Sequence, residues 1–313
     1  MALENTRSGT LIAPLIVTIG GLVGGSFALA KHAVMAGLSP LTLFAWQMLG
    51  AGILLLAGIC IRRRAGLREL LARPVVIYCI ANGLIGVAGP QVLSYFALQQ
   101  VPAGLFTMLI TLSPLLTFLL SSLANRRLLP VHRLTGILIG LVGVTMATAN
   151  GLSREPVGGL WLAAACAAPL LLAMTNVYRE RAMPKRVDPI VLAAGTLISQ
   201  AALFLPFVLT GPDHYLPLRA ASQIDLVLVG LSITTALSYA LTFELYRRTD
   251  GVGVSQVGYF VTITGAGAGT LFFGEAITLV FGVAVSLLFL GMAITNGHLG
   301  FLHRGKAVPP KGS

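Results

Sequence analysis

Apolar residues fill ten long stretches of this chain, and short polar segments separate them. The stretches run approximately Leu11–Val34, Pro40–Ile61, Pro74–Leu98, Val101–Ala124, Leu134–Asn150, Gly158–Arg181, Asp188–Thr210, Gln223–Tyr246, Gly251–Gly274 and Ile277–Leu299. An apolar helix of ~20 residues crosses the ~30 Å hydrocarbon core of a bilayer. Only helices and closed barrels satisfy their backbone groups there, and barrel strands alternate apolar with polar residues. These stretches are solidly apolar, so the pattern predicts an all-α integral membrane protein with ten transmembrane helices.

Composition agrees: 56% of residues are hydrophobic, only 10% are charged, and the mean hydropathy is +0.88. The net charge of +11 would point to nucleic acid in a soluble protein. Here the positive-inside rule accounts for it, because basic residues crowd the cytoplasmic connections of membrane proteins. With the N-terminus inside, 18 of the 21 basic residues fall on inner segments, and only Lys31, Arg154 and Arg219 stay outside. The expected topology is N-in and C-in, in a bacterial inner membrane. Membrane lipid and a small-molecule substrate are the expected partners, and nucleic acid is not. The Arg62–Arg64 run offers an additional lipid-headgroup contact.

The chain carries little reactive chemistry. Cys60, Cys79 and Cys166 lie singly inside apolar stretches and read as small apolar packing groups. No HExxH, Walker A, GxSxG or clustered His/Cys motif occurs. No cofactor, metal or catalytic residue is expected. Ala28-Leu29-Ala30 has the small-residue form of a signal-peptidase site, but the apolar run before it is longer than a signal sequence needs.

Two halves echo each other at an offset of about 149 residues. Ser39-Pro40 matches Asp188-Pro189. Leu93-Ser94-Tyr95-Phe96 matches Leu241-Thr242-Phe243-Glu244. Gly136 and Gly143 match Gly282 and Gly291. The expected division is 1–150, a first five-helix repeat, 151–302, a second, and a basic tail at 303–313. Five helices per half is odd, so the second repeat enters the membrane inverted. Secondary transporters use inverted repeats to alternate access around a midplane site.

With these features the chain resembles the drug/metabolite transporter superfamily, EamA type, over essentially its whole length. Thr111-Leu112-Ser113-Pro114-Leu115 and Phe273-Gly274-Glu275 strengthen the likeness. The resemblance implies a basket in which the first, third, fourth, sixth, eighth and ninth helices surround a cavity, with the fifth and tenth peripheral. It implies export of small metabolites, amino acids or organic compounds. The chain departs from the pattern at Gln47, at Asn125-Arg126-Arg127, and at Gly265, which stands where the fourth helix has Pro114.

Polar side chains on a membrane helix are expected to face the bundle or a wet cavity, and helical spacing sorts them. The eighth helix places Ser232, Thr235, Ser238, Tyr239, Thr242 and Tyr246 on one stripe. The third offers Gln91, Ser94 and Tyr95, the fourth Thr107 and Thr111, and the ninth Gln256 and Tyr259. Lys31 either snorkels to headgroups or faces an outer vestibule. Asn176 either lines the cavity or ties helices together. Tyr95, Tyr239 and Tyr259 are expected to wall one pocket, with Tyr78 off the stripe. Pro114, Pro169 and Gly265 are hinge candidates.

Glu244 precedes Arg247 and Arg248 at ion-pair spacing and reads as structural. Arg179, Glu180 and Arg181 read as one inner-boundary cluster. The Gly136–Gly140 spacing fits either a homodimer face or packing within the chain. A lipid-carrier translocase on the same scaffold is the alternative; it would show basic residues at a lateral opening, for which Lys31 is the one candidate. A membrane-embedded enzyme is a third class, and it would need facing acid/base or metal-ligand groups.

Overall fold

Prolines set many of the helix boundaries. Proline fixes φ near the helical value and lacks the N–H that a first turn leaves unused anyway. Ser39 Oγ accepts from the Thr42 N–H at 3.3 Å ahead of α2 (Pro40–Arg62). Asp188 Oδ1 accepts from the Ile190 N–H at 3.0 Å ahead of α10 (Pro189–Thr210). These are capping bonds on otherwise orphan donors, so the two X-Pro pairs mark helix starts.

The computed structural model describes residues 2–62, 65–125, 131–149, 158–211, 215–217, 222–249, 254 and 256–295. The remaining helices are α1 (Ala2–Met35), α3 (Ala65–Leu70), α4 (Arg73–Gly83), α5 (Gly89–Ala97), α6 (Ala103–Ile110), α7 (Ser113–Ala124), α8 (Val131–Ala149), α9 (Gly159–Ala182), α11 (Gln223–Arg248), α12 (Val257–Phe273) and α13 (Leu279–Thr295). Among the described residues, seven helical segments are long and apolar enough to cross a membrane, and three shorter apolar ones span Leu134–Ala147, Val257–Phe273 and Leu279–Thr295. The protein is an all-α, multi-spanning membrane protein. Side chains such as Phe207, Leu271 and Leu279 stand exposed on its periphery, an apolar surface suited to lipid rather than water. Arg63, Arg64, Arg126, Arg127, Arg154, Arg219 and the 303–313 tail lie outside the described residues.

Two spans are interrupted. The third stretch divides into α4, a π-helical turn at Leu84–Ala88, and α5. Pro90 has no N–H to offer the Ile85 carbonyl, and the π turn absorbs the missing bond. Thr175 Oγ1 of α9 donates to that carbonyl at 3.3 Å, as a neighbouring helix does for a freed backbone group in membrane. The fourth stretch breaks at Thr111–Leu112, and α7 restarts with Pro114 in its first turn. The short α3 falls in what read as a plain connection.

Helices approach through small residues, as membrane packing favours. α1 packs on α11 and α12, α9 on α5 and α7, α2 on α10 and α11, and α8 on α13. A β-carbon on Gly24 would lie 2.7 Å from the Val261 carbonyl of α12, and one on Gly136 would lie 2.6 Å from the Gly291 carbonyl of α13. The Gly136–Gly140 face is thus filled by α13 of the same chain and is not left open for a second copy.

Candidate functional site

At one end of the bundle, three segments meet on a single carboxylate. α12 stops at Gly274, whose left-handed φ of 64° turns the chain; the Glu275 N–H donates back to Gly269 O at 3.2 Å. This glycine stop aims Glu275 at the start of α6. There its Oε1 accepts from the Ala103 N–H at 2.7 Å and its Oε2 from the Gly104 N–H at 2.8 Å. The first turn of a helix has unpaired N–H groups and a partial positive charge, and a carboxylate satisfies both. Lys31 of α1 completes the junction, with Nζ 2.7 Å from Glu275 Oε1, 3.4 Å from Val101 O and 5.0 Å from the centre of the Phe273 ring. Lys31 is therefore neither snorkelling nor free in a vestibule: it is buried and paired. The cation that the lipid-translocase reading needs is already committed. The apolar crevice between α2, α5 and α10, about 540 Å³ and lined by Pro40, Phe96 and Phe207 among others, has no basic residue among the described residues of its wall.

At the opposite end lies a second buried cation, Arg179. Three charged residues in a row leave a helix in three directions. Glu180 and Arg181 are exposed, whereas Arg179 continues the buried face of Ala168 and Thr175 and is 7% exposed. Its Nε–H donates to Asn82 Oδ1 at 2.7 Å, and Asn82 Nδ2 donates to Thr196 Oγ1 at 3.2 Å. The guanidinium stands over the rings of Phe243 and Tyr246, 5.4 and 5.9 Å from their centres. The hydroxyls of Tyr239 and Tyr246 lie beside it. Among the described residues no carboxylate reaches ion-pair distance of Arg179. Arg179 and Tyr246 wall a cavity of about 390 Å³, completed by Glu180, Met183, Lys185, Arg247 and Thr249.

The expected site residues divide into three groups. Tyr239 and Tyr246 join the Arg179 cluster. Gln91, Tyr95 and Thr235 form a relay through Gln47: Gln91 Nε2 donates to Tyr95 Oη at 2.6 Å, the Tyr95 hydroxyl donates to Gln47 Oε1, and Gln47 Nε2 donates to Thr235 Oγ1 at 2.6 Å. The others tie backbone or helices. Ser94 donates to Pro90 O at 2.6 Å, Ser232 to Leu228 O at 2.7 Å and Ser238 to Thr235 O at 3.1 Å. Thr107 donates to Ala103 O at 3.0 Å, while Thr111 bonds Gly258 O at 3.0 Å and pairs with Thr262. Asn176 binds Thr117 at 3.0 Å and accepts from the Tyr246 hydroxyl at 2.7 Å, knotting α7, α9 and α11. Gln256 stands at the N-cap of α12.

The three-tyrosine pocket does not assemble as expected. Tyr259 turns to Phe289 of α13, with ring centres 4.7 Å apart, while Tyr95 and Tyr239 stay near each other. Tyr78, expected to stand apart, is buried beside Arg179 and stacked on Tyr178 at 5.9 Å. Its angle relative to the Gln91 face misleads because the π turn re-phases the helix between them. Of the hinge candidates, Pro114 sits at a true break and Pro169 inside the continuous α9. α12 runs unbroken through Gly265, where Thr107 packs against the missing side chain.

Glu244 pairs with Arg248 at 2.6 Å and lies 3.8 Å from Arg247, all partly exposed. Such pairs contribute up to ~1 kcal/mol. Glu244→Gln is expected to lower thermal stability by no more than that and to leave the pH profile of transport unchanged. A lost pH dependence in a folded mutant would make Glu244 a proton carrier instead. Among the described residues no three His, Cys, Asp or Glu side chains group to hold a metal.

Known proteins share this organisation. A profile described as the EamA-like transporter family matches the chain twice, over residues 10–149 and 159–297. The "Uncharacterized transporter YvbV" of Bacillus subtilis (strain 168) is 25% identical over 296 residues, covering 94% of this chain and 93% of its own length. A solved structure described as "Crystal structure of protein" aligns with a TM-score of 0.64 at 24% identity, covering 92% of this chain and 98% of the other. At that identity the likeness bears on the fold alone.

Proposed function

The chain belongs to the EamA-like transporter family; it is an integral membrane transporter and not an enzyme, and we propose that it exports a small polar metabolite, an amino acid or a related organic compound, across the cytoplasmic membrane by alternating access. In this reading ten helices span the membrane, N-in and C-in, as two inverted repeats over 1–150 and 151–302. The packing pairs support the repeat. α1 meets α11 and α12 as α9 meets α5 and α7, and α2–α10 and α8–α13 are self-matched pairs. A pseudo-twofold axis in the membrane plane would produce this exchange.

The observation that carries the reading is the difference between the two ends. At the Lys31 end Glu275 ties α1 and the α6 N-terminus together and the crevice between α2, α5 and α10 is apolar, while the Arg179 end holds a polar cavity of about 390 Å³. A polar cavity at one end and a tied junction at the other fit one half of an alternating-access cycle. The basic-residue bias puts the Arg179 end in the cytoplasm, where an exporter loads. The broken span at Thr111–Leu112 and Pro169 of α9 are the proposed flexing points.

Counterflow in proteoliposomes tests this. A preloaded substrate, drawn from a panel of amino acids and related organic acids, is expected to accelerate entry of the same labelled compound. Leu216→Cys in a cysteine-free background should react with an impermeant thiol reagent in intact cells, and Ala65→Cys only after permeabilisation. Labelling of Ala65→Cys from outside would overturn the orientation, and solute flux that no counter-solute accelerates would overturn the exchange.

A further inference from the structure

We propose that Arg179 and the hydroxyl of Tyr78 form a carboxylate-binding site, and that the ligand is a small organic monoanion with no charged amine. The inference rests on the transporter reading and narrows its substrate class. Two unmet requirements lie within electrostatic reach of each other. The first is a cation, 7% exposed, with no counter-charge among the described residues. Burying an unpaired charge is costly, and intramembrane ionisable groups are kept for function. The second is the Tyr78 hydroxyl, which is buried and has no hydrogen-bond partner among the described residues. A buried donor left unsatisfied is destabilising. One carboxylate beside both groups would meet both needs.

The local chemistry fits that ligand. Asn82, held by Thr196, takes the Nε–H of Arg179. Its terminal N–H groups meet only neutral acceptors, the hydroxyls of Tyr239 and Tyr246, and an arriving carboxylate is the stronger acceptor for a guanidinium fork. One guanidinium among neutral phenols supplies one positive charge, which matches a monoanion. Among the described residues a zwitterion's ammonium would find no buried carboxylate there, since Glu180 stands exposed in the cavity's lining. Lys185 and Arg247 share that lining and draw anions toward it. Arg179 walls a cavity whose volume is within the range of small-molecule sites, and Tyr78 is buried outside that wall.

The test uses purified full-length protein in detergent and follows thermal unfolding with sodium hexanoate, sodium benzoate, hexanamide, benzamide and leucine. A ligand raises the midpoint according to its affinity. The carboxylates are expected to stabilise the protein, the amides not, and leucine about tenfold less effectively than hexanoate, because a hydrogen-bonded charge contact is worth about that factor or more. Arg179→Lys should weaken carboxylate binding about tenfold by removing the fork. Tyr78→Phe gives a signature that a packing role would not: higher stability without ligand, because an unpaired hydroxyl is gone, together with weaker carboxylate binding. Should Arg179→Lys fail to fold, Tyr78→Phe decides alone. Equal stabilisation by benzoate and benzamide, or unchanged carboxylate affinity in Tyr78→Phe, would overturn the site. Leucine binding more tightly than hexanoate would overturn the monoanion class. In each of these cases counterflow of another solute would still uphold the transporter reading.

Discussion

Glu275→Gln is expected to cost about 3–5 kcal/mol of stability, the range seen when one partner of a buried ion pair is removed. The loss should be larger than that of Lys31→Met, although both break the same 2.7 Å contact. With glutamine at 275, Lys31 loses its counter-charge and keeps only neutral partners: an amide oxygen, the Val101 carbonyl at 3.4 Å and the face of Phe273. Without Lys31, the carboxylate still holds the Ala103 and Gly104 N–H groups and the positive end of α6. The reversed pair, Lys31→Glu with Glu275→Lys, should not restore stability, because an ammonium at position 275 would face helix N–H donors. Thermal unfolding of the three variants measures the ranking. Recovery in the reversed pair would mean that the junction is a simple ion pair and that the cap on α6 contributes little.

This junction shows where the sequence is readable and where it is not. Phe273-Gly274-Glu275 is visible as a helix stop, and Lys31 as a cation near a helix end. Their pairing is not visible, because it joins residues 244 positions apart through the packing of α1 on α12. Hydropathy specifies the apolar stretches directly, since each must satisfy the same bilayer thickness. It passes over interruptions: Pro90 and Pro114 both lie within runs that stay apolar across the break. Arg179 was legible in principle. The charged run 179–181 must splay by about 100° per residue, and only Arg179 falls on the face of Ala168 and Thr175. A reading by local charge density instead groups all three at the membrane boundary. The polar stripe of α11 shows the reverse error. Ser232, Thr235 and Ser238 do face inward, but helix packing consumes that face at α2, where Gln47 takes Thr235 and Gly50 admits Ser232. Helical period says which way a residue points, not whether it meets a cavity or a neighbour.

The glycines of α13 give a prediction with opposite signs on one helix. Gly282 and Gly291 look alike in sequence, each echoing a glycine of α8. A β-carbon on Gly282 meets nothing within 4 Å, so Gly282→Ala is expected to stabilise the helix by up to ~1 kcal/mol through the lower conformational entropy of alanine. A β-carbon on Gly291 would press on the Gly136 carbonyl and lie 2.7 Å from the Gly140 nitrogen. Those atoms are backbone of a helix and cannot swing aside, so α8 and α13 must separate. Overpacking of that kind costs about 1–3 kcal/mol, and more where the neighbours are rigid. Gly291→Ala should therefore lower the unfolding midpoint, and Gly291→Leu should abolish folded protein. The pair also bears on oligomeric state. If the α8 glycine face joined two copies of the chain, Gly291→Ala would leave the monomer's stability intact and change only its size in detergent. Size-exclusion chromatography alongside thermal unfolding separates the outcomes: a lowered midpoint at constant size is expected from the α8–α13 contact, and a smaller particle with an unchanged midpoint would refute it.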